Sequence, residues 1–184
     1  TSDVLNGILR IEKGDVYDLV TMQKRLLGGG GQNDYDVSKL YRDNGYLFIN
    51  IKPVELMIEG DSVDVEMRIV EGKQSTLNNI VINGNDLTNE RVVRRQVMTR
   101  PGYLFSQTDF ERSIREIASM GQFDPEAMYS SDGYSIIPDE QTNTVDLIYN
   151  VTEKPSSQLE LSGGWGGKTF IGTVGISFNN FSTR

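Results

Sequence analysis

The feature that most constrains this chain is an internal repeat. Val4-Leu5, Leu9 and Gly14-Asp15-Val16-Tyr17 return 88 residues later as Val92-Val93, Val97 and Gly102-Tyr103-Leu104-Phe105. Gly45 matches Gly121 at an offset of 76, and Val63–Glu71 matches Val145–Glu153 at an offset of 82. Three blocks in one order predict a tandem duplication with insertions, 12 residues in the first copy and 6 in the second. A chain of 184 residues has room for two such units, each with its own core.

The second copy reads as a β-α-α-β-β unit. Ile80-Val81-Ile82 ends in Gly84-Asn85, a strand followed by a turn. Thr88 is expected to cap a helix carrying Val92, Val93 and Val97, which stops at Arg100-Pro101-Gly102. Ser106 and Asp109 have capping-box spacing, and Phe110, Ile114 and Ile117 form one apolar helical face with Gly121 as its C-terminal cap. A short strand near Ala127–Ser130, a polar irregular stretch and an alternating strand from Thr144 to Val151 complete the unit. The first copy has the same order without its opening strand. It ends in a hairpin, Tyr46–Glu59 and Ser62–Val70, around Gly60-Asp61. Its insertion holds Gly28-Gly29-Gly30-Gly31, expected as a mobile loop, and a helical turn through Val37, Leu40 and Tyr41.

After Lys154-Pro155-Ser156-Ser157 the pattern changes. Leu159, Leu161, Gly163 and Trp165 alternate with Glu160, Ser162 and Gly164, and Phe170, Val174, Ile176 and Phe178 alternate with Ile171, Thr173, Gly175 and Ser177. Each run has the length of a tilted membrane-spanning β-strand and its apolar/small-polar alternation. An amphipathic hairpin packed on a soluble core has the same pattern, and from the residues alone both readings stand. Glycine density favours the barrel wall.

Chemistry is narrowed by what the chain lacks. With no cysteine and no histidine, disulfides, Cys/His metal sites, cysteine nucleophiles and a Ser-His-Asp triad are excluded. A net charge of −8 argues against nucleic acid and against a polybasic membrane anchor. Gly163-Gly164-Trp165-Gly166-Gly167-Lys168-Thr169 imitates a phosphate loop, but Ser162 stands where its first glycine belongs and a β pattern follows. The expectation is a protein without catalysis, cofactor, metal or small-molecule substrate. The sequence starts at Thr1 and is read as a fragment of a longer protein.

Taken in order, Ile80-Val81-Ile82-Asn83-Gly84-Asn85, Val92-Val93-Arg94-Arg95, Met120-Gly121-Gln122-Phe123 and Val145-Asp146-Leu147 through Glu153-Lys154 resemble the POTRA domain that adjoins the barrel in BamA-like proteins. Ser162-Gly163-Gly164-Trp165-Gly166 resembles the opening strand of that barrel, and Asn179-Asn180-Phe181 the turn after its second strand. The resemblance implies an α+β chain: a POTRA domain at 1–73 lacking its first strand, a second at 74–154, and a linker with the first two barrel strands at 155–184. It implies a periplasmic region, attached to the outer membrane through a barrel, that receives unfolded outer-membrane proteins and promotes their folding and insertion.

In that family clients are thought to add as strands to the edge of a domain's second strand. Here that strand maps to Glu126, Ala127, Met128, Tyr129 and Ser130, and in the first copy to Leu47–Val54, where Pro53 removes a donor. The alternative, that these strands serve only their own sheet, stays open. Arg94, Arg95 and Gln96 match a contact for accessory lipoproteins, with Gln96 where relatives carry an acid. Trp165, Phe170, Val174, Ile176 and Phe178 are the implied lipid-facing residues. Two-partner secretion or TamA-like translocation proteins, and a periplasmic POTRA scaffold of the FtsQ kind, remain as alternatives.

Overall fold

The computed structural model describes residues 2–28, 36–60, 62–155, 157–167 and 169–178. The N-terminal part carries three short helices, α1 (Ser2–Leu9), α2 (Leu19–Leu27) and α3 (Val37–Asp43), followed by a hairpin of β1 (Asn50–Glu59) and β2 (Ser62–Val70). Each later helix of this group starts on an aspartate. Asp18 accepts the Val20 and Thr21 N–H groups, and Asp36 accepts that of Lys39. Met22, Leu26, Val37 and Ile51 form a small buried core between helices and hairpin. Gly60 turns the hairpin at φ +58. The first hairpin strand begins at Asn50 rather than Tyr46, because Tyr46–Ile49 form a turn after α3. Gly29, Gly30 and Gly31, expected as a mobile loop, lie outside the described residues.

A larger core follows. Strands β3 (Thr76–Asn83), β4 (Tyr134–Asp139) and β5 (Thr144–Asn150) form one sheet in the order β3-β5-β4. β3 runs parallel to β5, and β4 antiparallel to it. Helices α4 (Glu90–Arg94), α5 (Gln107–Ser119) and α6 (Pro125–Tyr129) connect β3 to β4. The alternation of β5 puts Val145, Leu147 and Tyr149 into the core with Phe105, Phe110, Ile114, Ile117, Phe123 and Met128. Each such buried side chain contributes about 1.5–3 kcal/mol of hydrophobic stabilisation. Phe110 lies 5.3 Å, ring to ring, from Tyr134 and 5.7 Å from Tyr149, joining α5 to both β4 and β5.

Helix limits differ from the sequence expectation in three places. Asn89, not Thr88, caps α4, which ends at Arg94 before reaching Val97. Ser106 caps α5 by accepting the Asp109 N–H, as its spacing predicts, but the helix ends at Met120 in extended conformation rather than at Gly121. Glu126–Ser130 is not a strand. Asp124 accepts the Glu126 N–H, Pro125 occupies the first turn and Met128 is buried, so residues 125–129 form α6 with Ser130 as its C-cap. The strand lies further on, at Tyr134–Asp139, where a polar irregular stretch was expected.

The joint between the two cores carries more contacts than the short polar link at Gly72–Ser75 suggests. Asp43, at the end of α3, accepts the Thr108 N–H at 2.7 Å and the hydroxyls of Thr108 and Ser106. The carboxylate thus serves as a second cap on α5, where the helix dipole favours negative charge. Lys39 pairs with Glu111 at 2.7 Å in a largely shielded position. The Ser75 N–H donates to the Gly45 carbonyl, and Leu47 packs on the larger core.

Beyond Pro155, β6 (Ser157–Gly166) and β7 (Thr169–Phe178) pair with each other. Asn179–Arg184 lie outside the described residues.

Candidate functional site

The two edges of the three-stranded sheet are chemically different. On the outer side of β3, the Leu77 N–H donates to Tyr103 O (2.8 Å), Gly102 N–H to Leu77 O (2.7 Å) and Phe105 N–H to Ser75 O (3.0 Å). The Arg94 guanidinium donates to the Ile80 carbonyl. The chain that follows α4 thus covers the start of that edge, at Ser75–Leu77. On the outer side of β4 no strand pairs among the described residues. Tyr134 and Ile136 pack on the core, while Ile137 on the opposite face is half exposed. Unpaired main-chain groups over a firmly seated strand are what a further extended segment needs in order to add.

The strand-addition residues assigned from the sequence do not supply this edge. Glu126, Ala127, Met128 and Tyr129 lie in α6, whose helical backbone offers no extended row of groups, and the Ser130 hydroxyl donates to the Ala127 carbonyl. The signal that locates the true edge is Pro138, a residue that sheets accept on an outer strand.

Arg94, Arg95 and Gln96 sit at the end of α4. Arg94 forms an ion pair with Glu90 one turn earlier on the same helix. Arg95 is exposed and Gln96 half-buried.

The exit from this domain is stapled in place. Val151 N–H donates to Asn83 O, Asp124 N–H to Thr152 O and Lys154 N–H to Gln122 O, each at 2.8 Å. The Glu153 carboxylate accepts the Leu87 N–H at 2.8 Å and the Thr88 N–H at 2.6 Å. Partial burial pushes its pKa up, but the hydrogen bonds from Thr88 and Leu87 outweigh that and hold it below the ordinary value of 4.5. Its stabilising contribution is therefore complete above the ordinary value and is lost as pH falls through the lower folded one. Glu153→Gln should lower the urea midpoint at pH 7, and the gap to the parent should narrow as the titration is repeated down to pH 3. An unchanging gap would assign the loss to packing instead of charge.

The hairpin beyond this staple is two-faced. Its register sets Leu159 opposite Ile176, Leu161 opposite Val174 and Trp165 opposite Phe170. Leu161, Val174 and Ile176 are each more than 60% exposed, and Trp165 is 78% exposed. Phe170 and Phe178 share that strand parity; their side chains lie outside what is described. Trp165, Val174 and Ile176, three of the residues expected to face lipid, therefore share one register row.

Comparison with known proteins agrees with this geometry. The POTRA family, described as surface antigen variable number repeat, matches residues 75–154. Outer membrane protein assembly factor BamA of Neorickettsia risticii is 26% identical over 175 residues, 94% of this chain and 21% of that protein. BamA of Neisseria meningitidis serogroup B is 29% identical over 139 residues, 74% of this chain and 17% of that protein. The crystal structure of BamA from Haemophilus ducreyi lacking POTRA domains 1–3 aligns with 95% of this chain and 31% of that one, with a TM-score of 0.67 at 18% identity. That likeness speaks to the fold. This chain spans about a fifth of the length of the curated relatives it matches.

Residues 75–154, a sheet packed under helices with the last strand in its middle, are a POTRA domain. Over most of its length the chain is similar to BamA proteins.

Proposed function

We propose that this chain is the periplasmic part of an outer-membrane β-barrel assembly factor, which receives unfolded outer-membrane proteins and guides them toward a barrel that opens with β6 and β7. On this reading the chain divides into POTRA units at 1–73 and 74–154 and a linker with two barrel strands at 155–184. The observation that carries it is the asymmetry of the sheet, with the start of β3 covered by residues 102–105 and β4 left to pair. Strand addition suits unfolded barrel proteins, since main-chain groups give affinity with little demand on sequence. Accessory lipoproteins are further partners, with the exposed end of α4 at Arg94, Arg95 and Gln96 as their contact. The exposed apolar row on β6 and β7 favours an assembly factor or a sibling translocation protein over a scaffold without a barrel.

The chain has no cysteine, so a single one can be placed at will. A synthetic peptide copying a transmembrane β-strand, with one cysteine of its own, should form a disulfide with Ile137→Cys. Trapping at Tyr103→Cys, beside the covered start of β3, should be several-fold less. Equal trapping at the two positions, or none at either, would remove the support for client addition at β4.

A further inference from the structure

The phase of the β4–β5 ladder determines which main-chain groups of β4 face outward. Asn150 N–H donates to Gly133 O at 2.9 Å, in the same register that pairs Tyr134 with Tyr149 and Asp139 with Thr144. Hydrogen-bonded and non-hydrogen-bonded pairs alternate along an antiparallel ladder. Ser135, Ile137 and Asp139 therefore share the phase of Gly133 and exchange bonds with Ile148, Asp146 and Thr144. Tyr134, Ile136 and Pro138 turn their main-chain groups to the open side. Only two of these three have an N–H. Proline at this position costs the domain no ladder bond, and beyond it the Asp139 carboxylate folds the chain away by accepting the Gln141 and Thr142 N–H groups.

We infer that Pro138 terminates the docking edge, so that an incoming strand hydrogen-bonds at Tyr134 and Ile136 and leaves the sheet at Pro138. The edge takes a short extended segment rather than a full-length barrel strand. Its hold is weak by construction, which suits a surface that must release what it receives. The same proline blocks edge-to-edge pairing between copies of the domain. The inference rests on the client-docking role assigned to β4 and adds the length of the segment and the residue that limits it.

The test titrates the full 184-residue chain and its Pro138→Val variant with one synthetic peptide of alternating apolar and polar residues, followed by amide NMR. Pro138 is exposed, so the substitution leaves the core intact. In the parent, shifts should cluster on Tyr134–Ile137 and leave Asp139–Thr142 unmoved. The variant gains a donor and should bind about threefold to tenfold tighter, the effect of one added hydrogen bond. Its shifts should extend through position 139, with more self-association. Equal affinity, with parent shifts already crossing Asp139, would overturn the role of Pro138 and leave docking at β4 intact. Absence of shifts on β4 in both proteins would overturn the docking role itself, and the inference with it.

Discussion

Replacing Gly84 by alanine should cost the POTRA domain about 3–5 kcal/mol, a large share of the roughly 5–15 kcal/mol that holds a domain of this kind together. Gly84 ends β3 at φ +84, in the left-handed region where a side chain is strained. A Cβ there would also run into the carbonyl oxygen of Val151. Both partners are main chain, so no flexible side chain can yield. The nearest hydrogen bond, Val151 N–H to Asn83 O, is the one that ties the end of β3 to the residue after β5. Relieving the clash would therefore open the parallel pair at the point where the chain leaves toward β6. Urea denaturation followed by circular dichroism checks this. A loss under 1 kcal/mol would mean that the two strands do not approach each other as described.

The second large effect concerns the hairpin. Leu161, Val174, Ile176 and Trp165 lie on one row of the two-stranded sheet and are mostly exposed. Moving each aliphatic side chain from water into hydrocarbon contributes about 1.5–3 kcal/mol. The backbone edges remain a cost until neighbouring barrel strands pair with them. Trp165 is the single tryptophan of the chain, so its emission reports on this hairpin alone. Adding phosphatidylcholine vesicles should shift that emission to the blue and raise its intensity. Val174→Arg should abolish most of the shift, since arginine on the lipid face costs about 2–4 kcal/mol at mid-membrane. If the parent's emission is indifferent to vesicles, the apolar row has some other partner and the barrel reading loses its main support.

Much of the α+β fold was legible because its signals are local. Ser106 with Asp109 marks a helix start whatever lies around it, and Phe110, Ile114 and Ile117 can share a face only on a helix. Alternation through Thr144–Asn150 gave β5 and its buried row. The miss at Glu126–Ser130 has a local cause too. Five residues are too few for a period of 2 to be told from one of 3.6. The decisive signal was upstream, in Asp124-Pro125, a cap followed by proline in the first turn. The strand at Tyr134–Asp139 was masked by Pro138, which reads as a breaker until the strand is known to lie at an edge.

By itself the sequence determined the start of α5 at Ser106, the hairpin turn at Gly60, the apolar rows and the absence of nucleophilic or metal-binding cysteine and histidine. These depend on residues a few positions apart and on the chemistry each side chain carries. Only the tertiary structure decided that β5 stands between β3 and β4, that residues 102–105 cover the start of one edge, and that Asp43 caps a helix 65 residues away. Which edge is open to a further strand follows from hydrogen bonds between segments far apart in the chain. A main-chain N–H has the same donor in every sequence, and folding alone chooses its partner.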